Sequence, residues 1–175
     1  MICCLDLEGV LIPEIWINVS QKTKIKALEI TTRDEPDYDK LMRYRLEILK
    51  KEKIGLRDIQ SVIQKMNPLP GAKDFLRKLQ EHYQVIILSD TYYEFAGPMM
   101  RKLGYPTLFC NWLKIDPDGF IVNYHLRQKN GKEQAVHGLR GLGFQVAAAG
   151  DSYNDIQMLQ AADRGILFKP PEKII

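Results

Sequence analysis

The sequence predicts an α/β protein, a mainly parallel sheet flanked by helices, with a small helical cap inserted after the first strand. Three observations predict it. Short unbroken apolar runs recur along the chain, as in strands buried on both faces. Segments with apolar residues at helical spacing lie between them, which is the alternation of parallel strands and their crossovers. One long stretch, residues 14–67, has helical patterning and no strand-like run of the same quality.

In chain order, residues 2–7 form the first apolar run, which stops at Glu8-Gly9. The stretch that follows reads as helices over 14–23, 38–51 and 56–65, punctuated by Pro13, Pro36, Pro68 and Pro70. The chain therefore divides into an α/β core of residues 1–13 and 68–175 and a helical cap of residues 14–67. A helix over 72–83 places Phe75, Leu76 and Leu79 on one face. The second strand is Val85-Ile86-Ile87-Leu88, and helices follow over 95–103, 133–142 and 154–162. Within 107–127, Asp116-Pro117-Asp118-Gly119 separates two short apolar stretches, which is hairpin chemistry. Val146-Ala147-Ala148-Ala149 is the third buried run and Gly165-Ile166-Leu167-Phe168 a weaker fourth. The whole is a Rossmann-like arrangement. Apolar Ile174-Ile175 predicts a further element, or one that packs on the sheet.

Composition narrows the function classes. Of 175 residues, 45% are hydrophobic and 27% charged, which excludes a disordered, fibrous or coiled-coil chain. No apolar run approaches the ~18 residues of a membrane helix. The first residues carry Asp6 and no basic cluster, unlike a secretory signal. The charge, 25 − 22 = +3, is mild and its Lys and Arg are scattered, which argues against nucleic acid. Cys3, Cys4 and Cys110 make an odd set suited to a reducing, cytoplasmic setting, with the first two as small buried hydrophobes. His82, His125 and His137 have no zinc-type spacing. The expected partner is a small molecule, not nucleic acid or membrane, bound by a monomer or homodimer.

The chemistry gathers at strand ends, where ligands sit in open α/β sheets. The first strand ends in Asp6-Leu7-Glu8-Gly9, the second in Ser89-Asp90-Thr91 and the third in Gly150-Asp151-Ser152-Tyr153-Asn154-Asp155. A single such Asp is ordinary capping or turn chemistry. Together, Asp6, Glu8, Asp151 and Asp155 would crowd one rim with negative charge, which a hard cation such as Mg²⁺ relieves. A carboxylate there could attack a phosphoryl group, and a second carboxyl two residues on could serve as acid and base. Ser89 and a lysine would hold the phosphoryl oxygens.

The set Asp6-x-Glu8-Gly9, Ser89, Lys132 and Gly150-Asp151-x-x-Asn154-Asp155 resembles the four motifs of the haloacid dehalogenase superfamily of phosphohydrolases. Within it the chain is similar to phosphoserine phosphatases, in particular the bacterial ones that also transfer phosphate to homoserine. The resemblance implies Asp6 as nucleophile and Mg²⁺ ligand, Glu8 as general acid/base with its carbonyl on the metal, and Asp151 as the next side-chain ligand. It implies Ser89 and Lys132 on the phosphate, with Lys129 an alternative lysine, Asp90 and Asn154 near the substrate, and Asp155 in the metal shell. Glu14 matches the position facing the substrate amine and Arg45 the one pairing with its carboxylate, and Arg suits a planar carboxylate. Most members have Asp where Glu8 stands and Ser or Thr where Gly9 stands. The implied activity is Mg²⁺-dependent hydrolysis of a small phosphorylated amino acid, phosphoserine. Transfer to homoserine, another small phosphomonoester, or a phosphate-binding switch without turnover are the alternatives. Trp16, Tyr38, Tyr92 and Tyr93 are candidates to line the pocket.

Overall fold

The computed structural model describes residues 1–170 except 33 and 36, so Pro36 and the terminal Ile174-Ile175 lie outside the described residues. Among the described residues the strands β1 (Ile2–Leu5), β2 (Gln84–Tyr92), β3 (Thr107–Ile115), β4 (Ile121–His125), β5 (Val146–Gly150) and β6 (Arg164–Leu167) form one sheet. Their order is β4-β3-β2-β1-β5-β6. All neighbours are parallel except the β3–β4 hairpin. β1 is central and buried throughout, and the chain winds outward from it in both directions. The strand order reverses there, which opens a crevice beyond its carboxyl end.

Alternation along β1 sorts the core. Cys3 and Leu5 face one apolar cluster, and Ile2 and Cys4 the other. The second cluster is closed by Ala135 and Val136 of α6 (Gly131–Gly141) and Met158 and Ala161 of α7 (Ile156–Ala161). The first takes Leu76 of α4 (Ala72–Gln80) and Phe95, Met99 and Leu103 of α5 (Tyr93–Leu103). It also takes Val19 of α1 (Ile15–Thr23), Met42 and Leu49 of α2 (Tyr38–Lys51) and Ile59 and Ile63 of α3 (Leu56–Lys65). The helices inserted after β1 thus share the apolar core of one sheet face.

α5 contains Pro98, which has no N–H to give to the carbonyl of Glu94 one turn earlier. The side-chain amide of Gln60, on α3, donates to that carbonyl at 2.8 Å. A residue of the inserted segment therefore completes a helix of the sheet layer.

Three expectations need correction. Phe75 is not on the buried face of α4 and stands 49% exposed, because the buried stripe runs through Ala72 and Leu76 and Phe75 falls at its edge. β6 is exposed along its length, because it is the edge of the sheet and not an interior strand. β2 does not stop before Ser89 but continues through Ser89, Asp90 and Thr91 to Tyr92.

Candidate active site

Asp6 follows β1, and its N–H still donates to Ala149 O across the sheet at 2.9 Å. Its Oδ1 accepts from the Leu7 amide at 2.8 Å and meets Lys132 Nζ at 2.9 Å. Lys132, in the first turn of α6, is buried and also stands 2.7 Å from Asp155 Oδ1 and 3.7 Å from Asp90 Oδ2. The other oxygen of Asp155 accepts from the amides of Asp151 and Ser152 at 3.0 and 3.1 Å and from Ser152 Oγ at 3.2 Å. One carboxylate thus fixes the lysine with one oxygen and shapes the loop after β5 with the other.

Burial pushes Asp6 well above the ordinary carboxylate range, although the Lys132 ammonium pulls it back. For Lys132, burial works against the charge, but Asp6, Asp90 and Asp155 outweigh it and hold the ammonium well above its usual value. Asp6, Asp151 and Asp155 each bring a carboxylate oxygen within 4.8 Å of the others, all buried. This all-oxygen set fits a hard divalent cation, whose charge would also favour the ionised form of Asp6 that burial disfavours. Two glycines permit the crowding. A Cβ on Gly9, where φ is +81°, would lie 2.3 Å from Asp151 Oδ2, and one on Gly150 would lie 2.4 Å from Asp155 Cβ.

Glu8 sits on the turn after β1, and its Oε2 accepts from the Ile15 amide at the start of α1, at 2.7 Å. Burial, and then the neighbouring Glu14 carboxylate, push it up to about 8. Ser89 is buried on β2, with Thr91 N donating to its Oγ at 3.2 Å. Asp90 accepts at its carbonyl from Tyr38 OH and from Asn111 Nδ2, both at 3.1 Å, and at Oδ2 from Asn154 Nδ2 at 3.1 Å.

These groups line one cleft of roughly 90 Å³ with Glu14 at the head of α1 and Arg45 of α2. The structure therefore gathers Asp6, Glu8, Glu14, Arg45, Ser89, Asp90, Lys132 and Asn154 around one space, with Asp151 and Asp155 behind Asp6. Lys129 instead lines a neighbouring cleft of roughly 510 Å³. Trp16, Tyr38 and Tyr92 border the smaller cleft, whereas Tyr93 faces away and donates to Leu108 O at 3.2 Å. The sequence reading missed Asn111, which also accepts the Arg127 amide at 3.0 Å and so ties Asp90 to the hairpin. No spacing rule singles out an Asn inside a strand.

A family model for haloacid dehalogenase-like hydrolases matches residues 1–163. The chain belongs to that family. The hydrolase is 56% identical over 174 residues to phosphoserine phosphatase ThrH of Pseudomonas aeruginosa, covering 99% of this chain and 85% of the relative. It is 54% identical to a phosphoserine phosphatase of Pseudomonas syringae pv. tomato, covering 99% and 73%. Its fold is that of a solved phosphoserine phosphatase described as a phospho-aspartyl intermediate analogue, at TM-score 0.82 and 18% identity over 99% of this chain and 88% of that one. A substrate-bound phosphoserine phosphatase complex superposes with TM-score 0.80 at 18% identity, over 98% and 87%. Among the described residues no helix is long and apolar enough to cross a membrane.

Proposed function

We propose that this hydrolase is a cytoplasmic, Mg²⁺-dependent phosphomonoesterase that converts O-phosphoserine to serine and phosphate through an aspartyl-phosphate on Asp6. One observation carries the reading: a buried Asp held by a lysine, beside two further buried acids, shares a cleft with one acidic and one basic group suited to an amino acid. The relatives named phosphoserine phosphatase support it.

Mg²⁺ bound by Asp6 and Asp151, with the Glu8 carbonyl and Asp155 in support, would neutralise phosphoryl charge. An Asp6 carboxylate oxygen attacks phosphorus, the bond from phosphorus to the serine oxygen breaks, and Glu8 gives that oxygen its proton. Glu8, now a carboxylate, takes a proton from water. The water oxygen attacks phosphorus, the bond to Asp6 breaks, and phosphate leaves with Asp6 restored. Lys132 and Ser89 hold the phosphoryl oxygens, with Asp90 and Asn154 beside them. Glu14 receives the substrate ammonium and Arg45 its carboxylate. Residues 14–67 act as a cap over the core of residues 1–13 and 68–175, and shield the phosphoryl group from bulk water.

The test is phosphate release from O-phosphoserine and from unrelated sugar and nucleotide phosphomonoesters, with and without Mg²⁺. Release is expected to be Mg²⁺-dependent, selective for phosphoserine and lost by about a thousandfold in Asp6→Asn. Turnover of Asp6→Asn at the parent rate overturns the assignment.

A further inference from the structure

Arg45 is placed by an aromatic ring as well as by hydrogen bonds. Its guanidinium carbon lies 4.5 Å from the centroid of the Trp16 ring. Trp16 is itself held: it is 8% exposed and meets Phe95 edge-on at 5.6 Å and 73°. Phe95 in turn meets Tyr92 edge-on at 5.5 Å and 88°. The ring beneath Arg45 is therefore anchored to β2 and α5, whereas Arg45 belongs to α2.

The hydrogen bonds of Arg45 are sparse for so buried a cation. One terminal nitrogen donates to Ile30 O at 2.7 Å and the other to Met42 Sδ at 3.7 Å. Its Nε has no hydrogen-bond partner among the described residues. Each terminal nitrogen keeps a second hydrogen, so donor capacity for a planar anion remains in a residue that lines the cleft. A flexible stem with two directional anchors still has freedom to tilt. A flat π-face beneath the guanidinium removes that freedom, and the attraction is strongest where water is excluded.

We propose that Trp16 is a positioning residue: its indole face fixes the plane of the Arg45 guanidinium, so that the enzyme prefers substrates bearing a carboxylate. The inference rests on the reading of Arg45 as the carboxylate partner. Trp16 acts through Arg45 and takes no part in phosphoryl transfer.

The probe pair is O-phosphoserine and O-phosphoethanolamine, which keep the same phosphate and amine but differ in the carboxylate. Trp16→Leu is expected to raise KM for O-phosphoserine about tenfold with kcat within about twofold, and to raise KM for O-phosphoethanolamine by a much smaller factor. Trp16→Phe, which keeps a ring, is expected to restore most of the loss. Equal weakening of both substrates, or no change in their ratio, overturns the inference. Should Trp16→Leu fail to fold, multiply fluorinated tryptophan at position 16 in a Trp112→Phe background weakens the π-face with little change of shape. KM for O-phosphoserine alone should then rise with fluorination, and a flat response overturns the inference. Arg45→Met separates the two levels. If it leaves the substrate ratio intact, the reading of Arg45 falls and the inference with it. If it collapses the ratio while Trp16 variants do not, the inference alone falls.

Discussion

Gly9 and Asp151 occupy space that a single added carbon would make them contest, with Asp151 Oδ2 only 2.3 Å from where a Cβ on residue 9 would stand. The close approach lets β1 and the loop after β5 bring their acids together. Gly9 also has φ of +81°, which a side chain adopts at a cost of about 1 kcal/mol. Gly9→Ala should therefore lose about 1 kcal/mol of stability and displace the Asp151 carboxylate. The Mg²⁺ concentration for half-maximal activity should rise about tenfold. A magnesium titration of activity beside a denaturant melt reads both effects.

Lys132 is the cation among Asp6, Asp90 and Asp155. Removing it leaves buried carboxylates facing one another. Lys132→Met in metal-free buffer should lose about 3 kcal/mol of stability, from one partner stripped out of a buried ion cluster. Added Mg²⁺ should restore part of that loss by linkage, while phosphatase activity stays abolished. Urea unfolding with and without Mg²⁺ measures the difference.

Gln60 donates to the Glu94 carbonyl that Pro98 leaves unserved. Gln60→Leu should cost about 1–2 kcal/mol, the penalty of an unsatisfied backbone acceptor. Restoring the backbone donor with Pro98→Ala should shrink the cost of Gln60→Leu. A double-mutant cycle on thermal stability tests the coupling.

Burial pushes the thiols of Cys4 and Cys110 up to about 12, and raises the phenols of Tyr38 and Tyr92 further. The folded chain keeps these protons where the unfolded chain, whose thiols titrate at about 8.5, releases them. The unfolded state then binds fewer protons, so stability is full below about pH 8.5 and falls as pH rises from there toward 12. Native protein should accordingly react slowly with thiol reagents at pH 8 and rapidly once unfolded.

Legibility in the sequence followed burial symmetry. β1 is buried on both faces, so its residues make one apolar run that needs no partner to be recognised, and Asp6 stands out at its end. β5 alternates buried and half-buried residues, but its short apolar side chains still make an unbroken run that ends at the motif. Lys132 and Lys129 were not separable by pattern, because only the folded chain shows Lys132, in the first turn of α6, reaching Asp6 while Lys129, in the turn before that helix, lines the neighbouring cleft. The 2.6 Å contact between the hydroxyls of Tyr38 and Tyr92 joins residues 54 apart and has no local signature. Nor did anything local mark Asn111, whose role depends on a carbonyl from the adjacent strand. The acceptor of the phosphoryl group is equally silent, since water and an alcohol would approach the same face of one intermediate.

The inserted helices share an apolar cluster with the sheet layer, and Gln60 completes α5, so the two stretches of chain are packed together. Calorimetry should record a single melting peak for the protein, with calorimetric and van't Hoff enthalpies in agreement. A foreign lid put in place of the inserted helices would have to match the surfaces of α5 and β4 that α3 and α2 now cover.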